Sequence, residues 1–235
     1  MSSEPVVQLK GVWKKYSKLQ VMNNSLREDF ARLLRRKPDR SRLERGEFWA
    51  LKNIDLEIGR GECLGLSGHN GCGKSTTLKL ISYVTSPTMG EVSCRGRVAP
   101  LIELGAGFHP DLSGMENIYM NGTILGFTIR DVKKAIPAIL EFSGLQEFID
   151  VPVKKYSSGM YLRLAFAIAV HSPADIFLFD EVISVGDAQF QARCFEKMNE
   201  LKAQGKTIVI VSHDQELLEQ RTDRVVRLQG GEICG

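Results

Sequence analysis

The stretch "GHNGCGKST" at residues 68–76 restricts the fold of the chain more than any other part of its sequence. It matches the pattern GxxxxGK[ST], follows the short apolar run "ECLGLSG" at 62–68, and precedes a helical pattern that begins at Lys74. A strand, a glycine-rich loop and a helix in this order are typical of a buried parallel sheet. The glycines allow successive backbone N–H groups to close around phosphate oxygens. The sequence therefore predicts an α/β protein with a nucleotide phosphate site at this loop.

Within this P-loop, Lys74 is expected to reach the terminal phosphates and the Ser75 hydroxyl to ligate Mg²⁺. We interpret Cys72 as a small space-filling residue, because alanine or serine would also serve at its position. The residues of the loop that we predict to bind the nucleotide are Gly68, Asn70, Gly71, Cys72, Gly73, Lys74, Ser75 and Thr76.

Two further apolar runs, "IFLFDE" at 176–181 and "TIVIVSHD" at 207–214, predict parallel strands that end on polar side chains. Open α/β sheets bind ligands at the carboxyl ends of their strands. Of the two carboxylates, Asp180 and Glu181, we expect one to hold a metal, directly or through water, and the other to polarise the attacking water of an in-line displacement. His213 could reach the γ-phosphate, although a lone histidine is more often structural.

The N-terminal part contains "VVQLKGVWKKY" at 6–16 and "LKNIDLEIG" at 51–59, whose alternation predicts half-buried antiparallel strands. The segment 25–48 between them predicts a short amphipathic helix that ends before Pro38. Its charged residues sum to +3, the net charge of the whole chain. We favour a solvated helix face whose apolar stripe packs on the sheet. A docking surface for anionic lipid or an acidic partner is the alternative.

The region from about residue 111 to residue 170 predicts helices instead of strands. "SGME" at 113–116 and "TIRD" at 128–131 are helix-start signals, and Ser143-Gly144 is a stop signal. Pro137 is expected to kink or shorten the second helix. We therefore predict a helical subdomain inserted into the sheet domain, within one domain that covers residues 1–235.

Charge and cysteine content exclude several classes of protein. A net charge of +3 is too small for a dedicated nucleic-acid binder, so we expect no nucleic-acid partner. The five cysteines are scattered and form no CxxC pair, which argues against a disulfide framework or a zinc site and favours a reducing cytoplasm. No apolar run approaches the roughly 18 residues that a membrane span needs.

The stretch "YSSGM" at 156–160 predicts a second anion site. Ser157, Ser158 and Gly159 come at the start of an apolar helix, where unpaired backbone N–H groups and the positive end of the helix dipole point outward. Within one chain such a site is redundant, because the P-loop already holds the phosphates.

The P-loop, "YSSGM", the "FLFDE" strand and the "SH" pair occur in an order that resembles the ATP-binding subunits of ABC transporters over nearly the whole chain. This resemblance implies the ABC transporter ATPase fold: a P-loop NTPase core with a parallel sheet, an N-terminal antiparallel β-subdomain and the helical subdomain. It implies ATP and Mg²⁺ as ligands and ATPase activity coupled to transport. In a head-to-tail homodimer, Ser157, Ser158 and Gly159 would cap the γ-phosphate held by the Lys74 of the other copy.

The same resemblance implies roles for individual residues. Asp180 is similar to the Mg²⁺-site acid, Glu181 to the catalytic base and His213 to the switch histidine. "SVGD" at 184–187 resembles the loop that contacts the other copy of the dimer, with Asp187 as its acid. Tyr16 is similar in position to the aromatic residue that stacks on adenine. Trp49 is the competing candidate, and Tyr16 as a plain strand residue is a further alternative.

Departures from the general pattern resemble the ATPases of polysaccharide exporters, the Wzt-like O-antigen, teichoic acid and capsule group. These departures are "YSSGM" in place of LSGGQ and "LIELGAGFHPDLSGMENI" at 101–118, in which Glu103 replaces a glutamine near the metal. The resemblance implies export of lipid-linked polysaccharide by a separate multi-span permease at the cytoplasmic face of the bacterial inner membrane. We expect the helical subdomain and residues 103–116 to contact this permease, and no C-terminal carbohydrate-binding domain.

Three alternatives stay open. The exported substrate could be a lipid or a drug. A non-transport ABC ATPase would usually carry a long coiled-coil insertion or two ATPase halves, and the sequence contains neither. A single-site switch of GTPase type would leave "YSSGM" and His213 without a role, and a preference for ATP together with ATP-dependent dimerisation would exclude it.

Overall fold

The computed structural model describes residues 4–17, 42–102, 104–180 and 187–234. An antiparallel sheet of three strands contains β1 (Val7–Ser17), β2 (Glu47–Ile58) and β4 (Met89–Cys94) in the order β2-β1-β4. The two N-terminal strands predicted from alternation are therefore confirmed. The boundary predicted for the 25–48 insertion is wrong at its end, because Glu47 and Phe48 already pair with β1. The helix predicted within that insertion lies outside the described residues, which resume at 42.

A second sheet of six strands carries the order β5-β6-β7-β3-β8-β9 and is parallel except for β9. Its strands are β3 (Cys63–Ser67), β5 (Val98–Leu101), β6 (Ile176–Asp180), β7 (Thr207–Val211), β8 (Arg224–Gln229) and β9 (Glu232–Cys234). Every residue of β3 and β7 is buried, as expected for strands that are covered on both faces. In the register, Val211 is the partner of both Leu66 and Asp180. The P-loop, Asp180 and the residues after β7 therefore leave the sheet at one edge.

Six α-helices lie among the described residues: α1 (Lys74–Ile81), α2 (Gly114–Ile124), α3 (Ile129–Ser143), α4 (Ser158–Val170), α5 (Ala188–Ala203) and α6 (Gln215–Arg221). Helices α2, α3 and α4 form the predicted helical subdomain. The start signals are confirmed, because Ser113 and Glu116 make a reciprocal capping box and Thr128 caps α3. Gly144, with a φ of 69°, ends α3 as predicted.

Pro137 does not shorten α3, which continues for six residues beyond it. Proline lacks an N–H and leaves the carbonyl four residues earlier without its helical partner. Both Pro137 and Lys133, which carries that carbonyl, are exposed on the solvent side of the helix. Water can solvate the Lys133 carbonyl, and the helix tolerates the proline.

Two apolar cores hold these layers together. One lies between the two sheets around α1 and contains Leu9, Leu56 and Leu78. The other joins the helical subdomain to the parallel sheet, where the rings of Phe142 and Phe166 are stacked with centroids 5.9 Å apart. Within the described ranges, none of the helices combines the length and the apolarity needed to cross a bilayer.

Candidate nucleotide site

The P-loop leaves β3 after Ser67 and enters α1 at Lys74, as the sequence predicts. All three glycines of the loop have a positive φ, and at two of them a side chain would also clash with its surroundings. Gly68 has a φ of 142°, and a Cβ atom there would lie 2.3 Å from the Leu228 carbonyl oxygen and 2.6 Å from the Cys72 sulfur. Gly73 has a φ of 116°, and its Cβ would meet Leu51 at 2.5 Å. Close packing on both sides therefore fixes the path of the loop.

The turn between β8 and β9 supports the P-loop from the neighbouring strand, because β8 runs parallel to β3 and ends at the same edge of the sheet. The Gly231 N–H donates to the Cys72 carbonyl at 3.1 Å, and the Lys52 N–H donates to the Gly231 carbonyl at 2.7 Å. One glycine therefore links the P-loop to the antiparallel sheet. Cys72 itself is 1% exposed and lies beneath the loop.

Lys74 is 6% exposed and folds back over the loop. Its ammonium group donates to the carbonyl oxygens of Gly68 at 2.7 Å and His69 at 3.3 Å. Carbonyl dipoles only partly compensate a buried cation. Phosphate oxygens at this position would be stronger partners, because a full negative charge attracts the ammonium group more strongly than a carbonyl dipole does.

A cavity of about 480 Å³ opens next to the loop and contains most of the predicted nucleotide-binding residues. Its lining joins an aromatic end to a polar end that holds the Lys74 ammonium, the Ser75 hydroxyl and the Asp180 carboxylate. The lining residues are Tyr16, Phe48, Ala50, Asn70, Gly71, Gly73, Lys74, Ser75, Thr76 and Asp180. Such an amphiphilic cavity suits a ligand with a flat ring at one end and phosphates at the other.

At the aromatic end, Tyr16 pairs with Phe48 across the ladder of β1 and β2, with ring centroids 6.3 Å apart. The Lys14 ammonium lies 4.9 Å from the centroid of the Tyr16 ring and orients it. Trp49, the competing candidate, pairs with Lys15 and packs edge-to-face on Trp13 at 5.2 Å. Side chains alternate along a strand, so Trp49 faces away from the cavity.

Phe48 is a lining residue that sequence reasoning missed. The signal was present, because Phe48 and Ala50 share one face of β2 by alternation, and this face is the one that meets Tyr16. The predicted insertion extended to residue 48 and therefore removed Phe48 from the strand.

The polar end of the cavity fits a magnesium ion. Ser75 and Asp180 offer oxygen ligands, and Mg²⁺ is usually held by one or two protein groups together with substrate phosphates. Among the described residues, no cluster of three or more His, Cys, Asp or Glu side chains could enclose a metal without such a substrate.

The residues of the predicted second anion site lie at the start of α4. Ser157 is the N-cap of this helix and accepts a hydrogen bond from the Met160 N–H at 3.2 Å. Ser157 and Ser158 are exposed, while the helix behind them is buried from Leu164 onward. The described residues that line the nucleotide cavity do not include Ser157, Ser158 or Gly159. A single chain therefore leaves this site facing outward.

Comparison with known proteins places the chain in a family. Residues 51–184 match the ABC transporter family. The O-antigen export system ATP-binding protein RfbB of Klebsiella pneumoniae is 41% identical over 96% of this chain and 91% of its own length. The chain belongs to the ABC transporter family.

Longer relatives of this ABC transporter chain carry similar names. RfbB of Myxococcus xanthus is 44% identical over 96% of the chain, and the teichoic acids export ATP-binding protein TagH of Shouchella clausii is 40% identical over 97% of it. The match spans 52% of the first relative and 61% of the second. The chain is therefore little more than half as long as these two proteins.

Solved structures support the ABC ATPase fold of the chain. A dimeric ATP-binding cassette in a post-hydrolysis state with ADP and Pi superposes with a TM-score of 0.75 over 97% of this chain and 96% of that one, at 23% identity. The ATP-binding subunit of an ABC transporter superposes with a TM-score of 0.78 over 98% of this chain and 88% of that one, at 21% identity.

Of the remaining predicted site residues of the ABC transporter chain, some lie within the described residues and others lie outside them. His213 follows β7 at the same sheet edge as the P-loop and is exposed, outside the lining of the cavity. Asp187 caps α5 by accepting from the Phe190 N–H at 2.8 Å and forms an ion pair with Arg163 of α4. Glu103, Glu181 and the first three residues of "SVGD" lie outside the described residues.

Proposed function

We propose that this chain is the ATP-hydrolysing subunit of a polysaccharide exporter. Two copies would close head-to-tail around two ATP molecules and drive a separate membrane permease at the cytoplasmic face of the plasma membrane. The observation that carries the ATPase part is the cavity that joins Tyr16 and Phe48 to Lys74, Ser75 and Asp180. The exported class, a lipid-linked O-antigen, teichoic acid or capsule polymer, is supported by the names of the relatives.

Binding uses groups that are already in position. The base packs on Tyr16, the backbone N–H groups of residues 70–76 surround the phosphates, and Lys74 exchanges its two carbonyl partners for phosphate oxygens. Ser75 and Asp180 hold Mg²⁺, which neutralises charge on the phosphates when bound. Glu181, directly after Asp180, polarises the attacking water, and His213 reaches the γ-phosphate from the end of β7.

The stretch 156–160, which we call the signature, faces outward in a single chain, and this is the reason for proposing two copies. Ser157, Ser158 and Gly159 of one copy cap the γ-phosphate that Lys74 of the other copy holds. The buried apolar part of α4 keeps their direction fixed. ATP favours closure because it binds both copies at once only in the closed state, and a ligand shifts an equilibrium by its differential affinity.

The permease is proposed to contact residues 103–116 and the helical subdomain. Ile124 and Ile129, at the turn between α2 and α3, are 66% and 54% exposed and offer apolar contact area next to this segment. A crosslinking group introduced at this turn should react with a co-purified multi-span protein, and such crosslinks would support the assignment. Crosslinks that map only to the β8–β9 edge would overturn it.

The central test replaces Glu181 with glutamine. The Glu181→Gln chain is expected to bind ATP, hydrolyse it at least about a hundredfold more slowly because general base catalysis is lost, and accumulate as a closed dimer. ATPase assays and sedimentation measure both effects. The matched control is Glu91→Gln, at an exposed glutamate of β4, which should keep wild-type turnover. Rapid hydrolysis by Glu181→Gln would contradict the proposal.

The exported class needs a separate measurement. Co-purification from a membrane extract should identify a multi-span partner, and deletion of this chain should remove the polymer from the cell surface. If deletion instead abolishes the efflux of a lipid or a drug and leaves the surface polymer intact, that compound is the exported substrate and the proposed polysaccharide is wrong.

A further inference from the structure

Two segments that flank the first helices of the helical subdomain run side by side as an antiparallel pair. The first, residues 109–115, enters α2, and the second, residues 149–156, leads directly into Ser157. Their backbones are joined by four hydrogen bonds: Met115 N–H to Ile149 at 2.9 Å, Gly114 N–H to Val151 at 3.2 Å, Val153 N–H to Leu112 at 3.0 Å and Lys154 N–H to Pro110 at 3.0 Å. We call this pair of segments the signature strap.

Side chains make the first segment of the strap rigid. Asn117 of α2 is fully buried, and its side chain accepts from the His109 N–H at 2.8 Å and donates to three carbonyl oxygens of residues 109, 112 and 113. A buried amide with all these partners holds one conformation, because any other would leave polar groups unpaired. Lys154 adds an exposed ion pair with Asp111 at 2.7 Å between the segments.

Tyr156 closes the strap at its signature end. Its hydroxyl donates to the Phe148 carbonyl at 2.8 Å, and burial raises the pKa of this hydroxyl above its ordinary value. Gly114 makes the space, since a Cβ atom there would lie 2.3 Å from the Tyr156 hydroxyl oxygen. Gly114 is the first residue of α2, where alanine would otherwise be the better helix former. The glycine is thus explained by Tyr156 together with Ile149, whose Cδ1 atom and carbonyl oxygen would lie 2.8 Å and 3.1 Å from the same Cβ.

A second link joins the preceding loop to the signature helix. The Tyr161 hydroxyl of α4 donates to the Gly105 carbonyl at 2.6 Å, and its ring packs on Phe108 with centroids 4.9 Å apart. The loop after β5 is therefore attached to α4 itself through Tyr161 and to its lead-in through the strap. Residues 104–115 and the start of α4 are held as one body.

We propose that the signature strap sets the position of Ser157 and Ser158 according to the position of the loop 104–115, with Tyr156 as its positioning residue. A permease that displaces this loop would shift the signature and so change closure over the ATP of the other copy. This inference rests on the proposed function, in which the loop meets the permease and the signature caps the γ-phosphate of the second copy.

The test removes one hydroxyl group. Tyr156→Phe in the Glu181→Gln background should weaken ATP-dependent dimerisation about fivefold for each copy, hence about 25-fold for the dimer, because one hydrogen bond that orders each signature is lost. Sedimentation at several protein concentrations measures the dimer dissociation constant. The affinity of the monomer for ATP should stay unchanged, since the P-loop is intact.

The matched control is Tyr83→Phe. This change also removes a hydroxyl that is hydrogen-bonded to the backbone: the Tyr83 hydroxyl accepts from the Cys94 N–H at 2.9 Å. Both residues are distant in the sequence from the strap. Because Tyr83 is 60% exposed, this change should lower thermal stability no more than Tyr156→Phe does, and it should leave the dimer dissociation constant unchanged. Equal dimerisation of both variants would overturn the inference. Failure of Glu181→Gln itself to dimerise would instead count against the proposed function.

A double-mutant cycle tests the fit between the glycine and the tyrosine. Gly114→Ala should weaken dimerisation by pushing Tyr156 away from Phe148, and it should cost less in a Tyr156→Leu background, where the hydroxyl is absent and only the contact with Ile149 remains. Additive effects would contradict the role of the pair.

Transmission is tested in the co-purified complex with the permease. Tyr156→Phe should reduce the permease-stimulated ATPase rate by a larger factor than the basal rate. Equal factors would show that the strap positions the signature without carrying a signal from the permease.

Discussion

Removal of the Tyr16 ring should weaken nucleotide binding because a contact with the base is lost, while the contacts with the phosphates are kept. Alanine substitution of an aromatic that stacks on a base costs about 1–3 kcal/mol. Phe48 remains 6.3 Å from the position of the lost ring and stays 42% exposed at the cavity, so part of the contact survives. We therefore expect a loss of about 1–2 kcal/mol, or roughly five- to thirtyfold in the dissociation constant of ATP.

Titration calorimetry with two ligands separates the base from the phosphates. Tyr16→Ala should bind ATP more weakly but bind tripolyphosphate as the unchanged chain does, because Lys74 and the P-loop glycines are not altered. Tyr16→Phe should restore most of the ATP affinity, since the ring and not the hydroxyl makes the contact.

Trp49→Ala is the control that decides between the two aromatic candidates. Trp49 packs on Trp13 on the other face of the sheet, so its loss should lower the melting temperature and leave ATP binding unchanged. Unchanged ATP binding in Tyr16→Ala, combined with a loss in Trp49→Ala, would refute the assignment of the aromatic end of the cavity.

Three further predictions concern the P-loop and a partly buried histidine. Gly68→Ala should lower ATP affinity more than tenfold and reduce stability by about 1–3 kcal/mol of backbone strain, whereas Gly71→Ala, with open space around its Cβ, should be milder in both assays. A thiol reagent should modify the buried Cys72 slowly, block ATP binding once attached and be excluded by ATP; full activity after complete labelling would contradict this. Burial lowers the pKa of His171, so the unfolded chain binds more protons than the folded chain as the pH drops. The free energy of unfolding should therefore fall below a pH of about 6.5. In His171→Gln, the midpoint of urea unfolding should depend less on pH.

Local patterns predicted those parts of the fold that depend on neighbouring residues. The P-loop before α1, the Ser113–Glu116 capping box and the Gly144 stop all appear where the sequence places them. Each depends on hydrogen bonds within a few positions, so a single sequence contains enough information. The prediction that Pro137 would shorten α3 failed because the effect of a proline depends on its exposure, which the sequence pattern alone does not give.

Contacts between distant segments were out of reach of such patterns. Gly114 reads as an ordinary loop or helix-start residue, and only the structure shows that Tyr156 occupies the space its side chain would need. Phe48 was missed because strand β2 begins earlier than its alternation suggested. The choice between Tyr16 and Trp49 needed the pairing register of β1 and β2.

The hydrogen bond from Gly231 to Cys72 has a consequence for the order of events during synthesis. The P-loop leaves the ribosome long before the β8–β9 turn that braces it, because chains are made from the N-terminus. During that interval the loop lacks both the Leu228 carbonyl against which Gly68 packs and the link to Lys52. A nascent chain should therefore acquire its full nucleotide affinity late, when the hairpin of β8 and β9 has emerged.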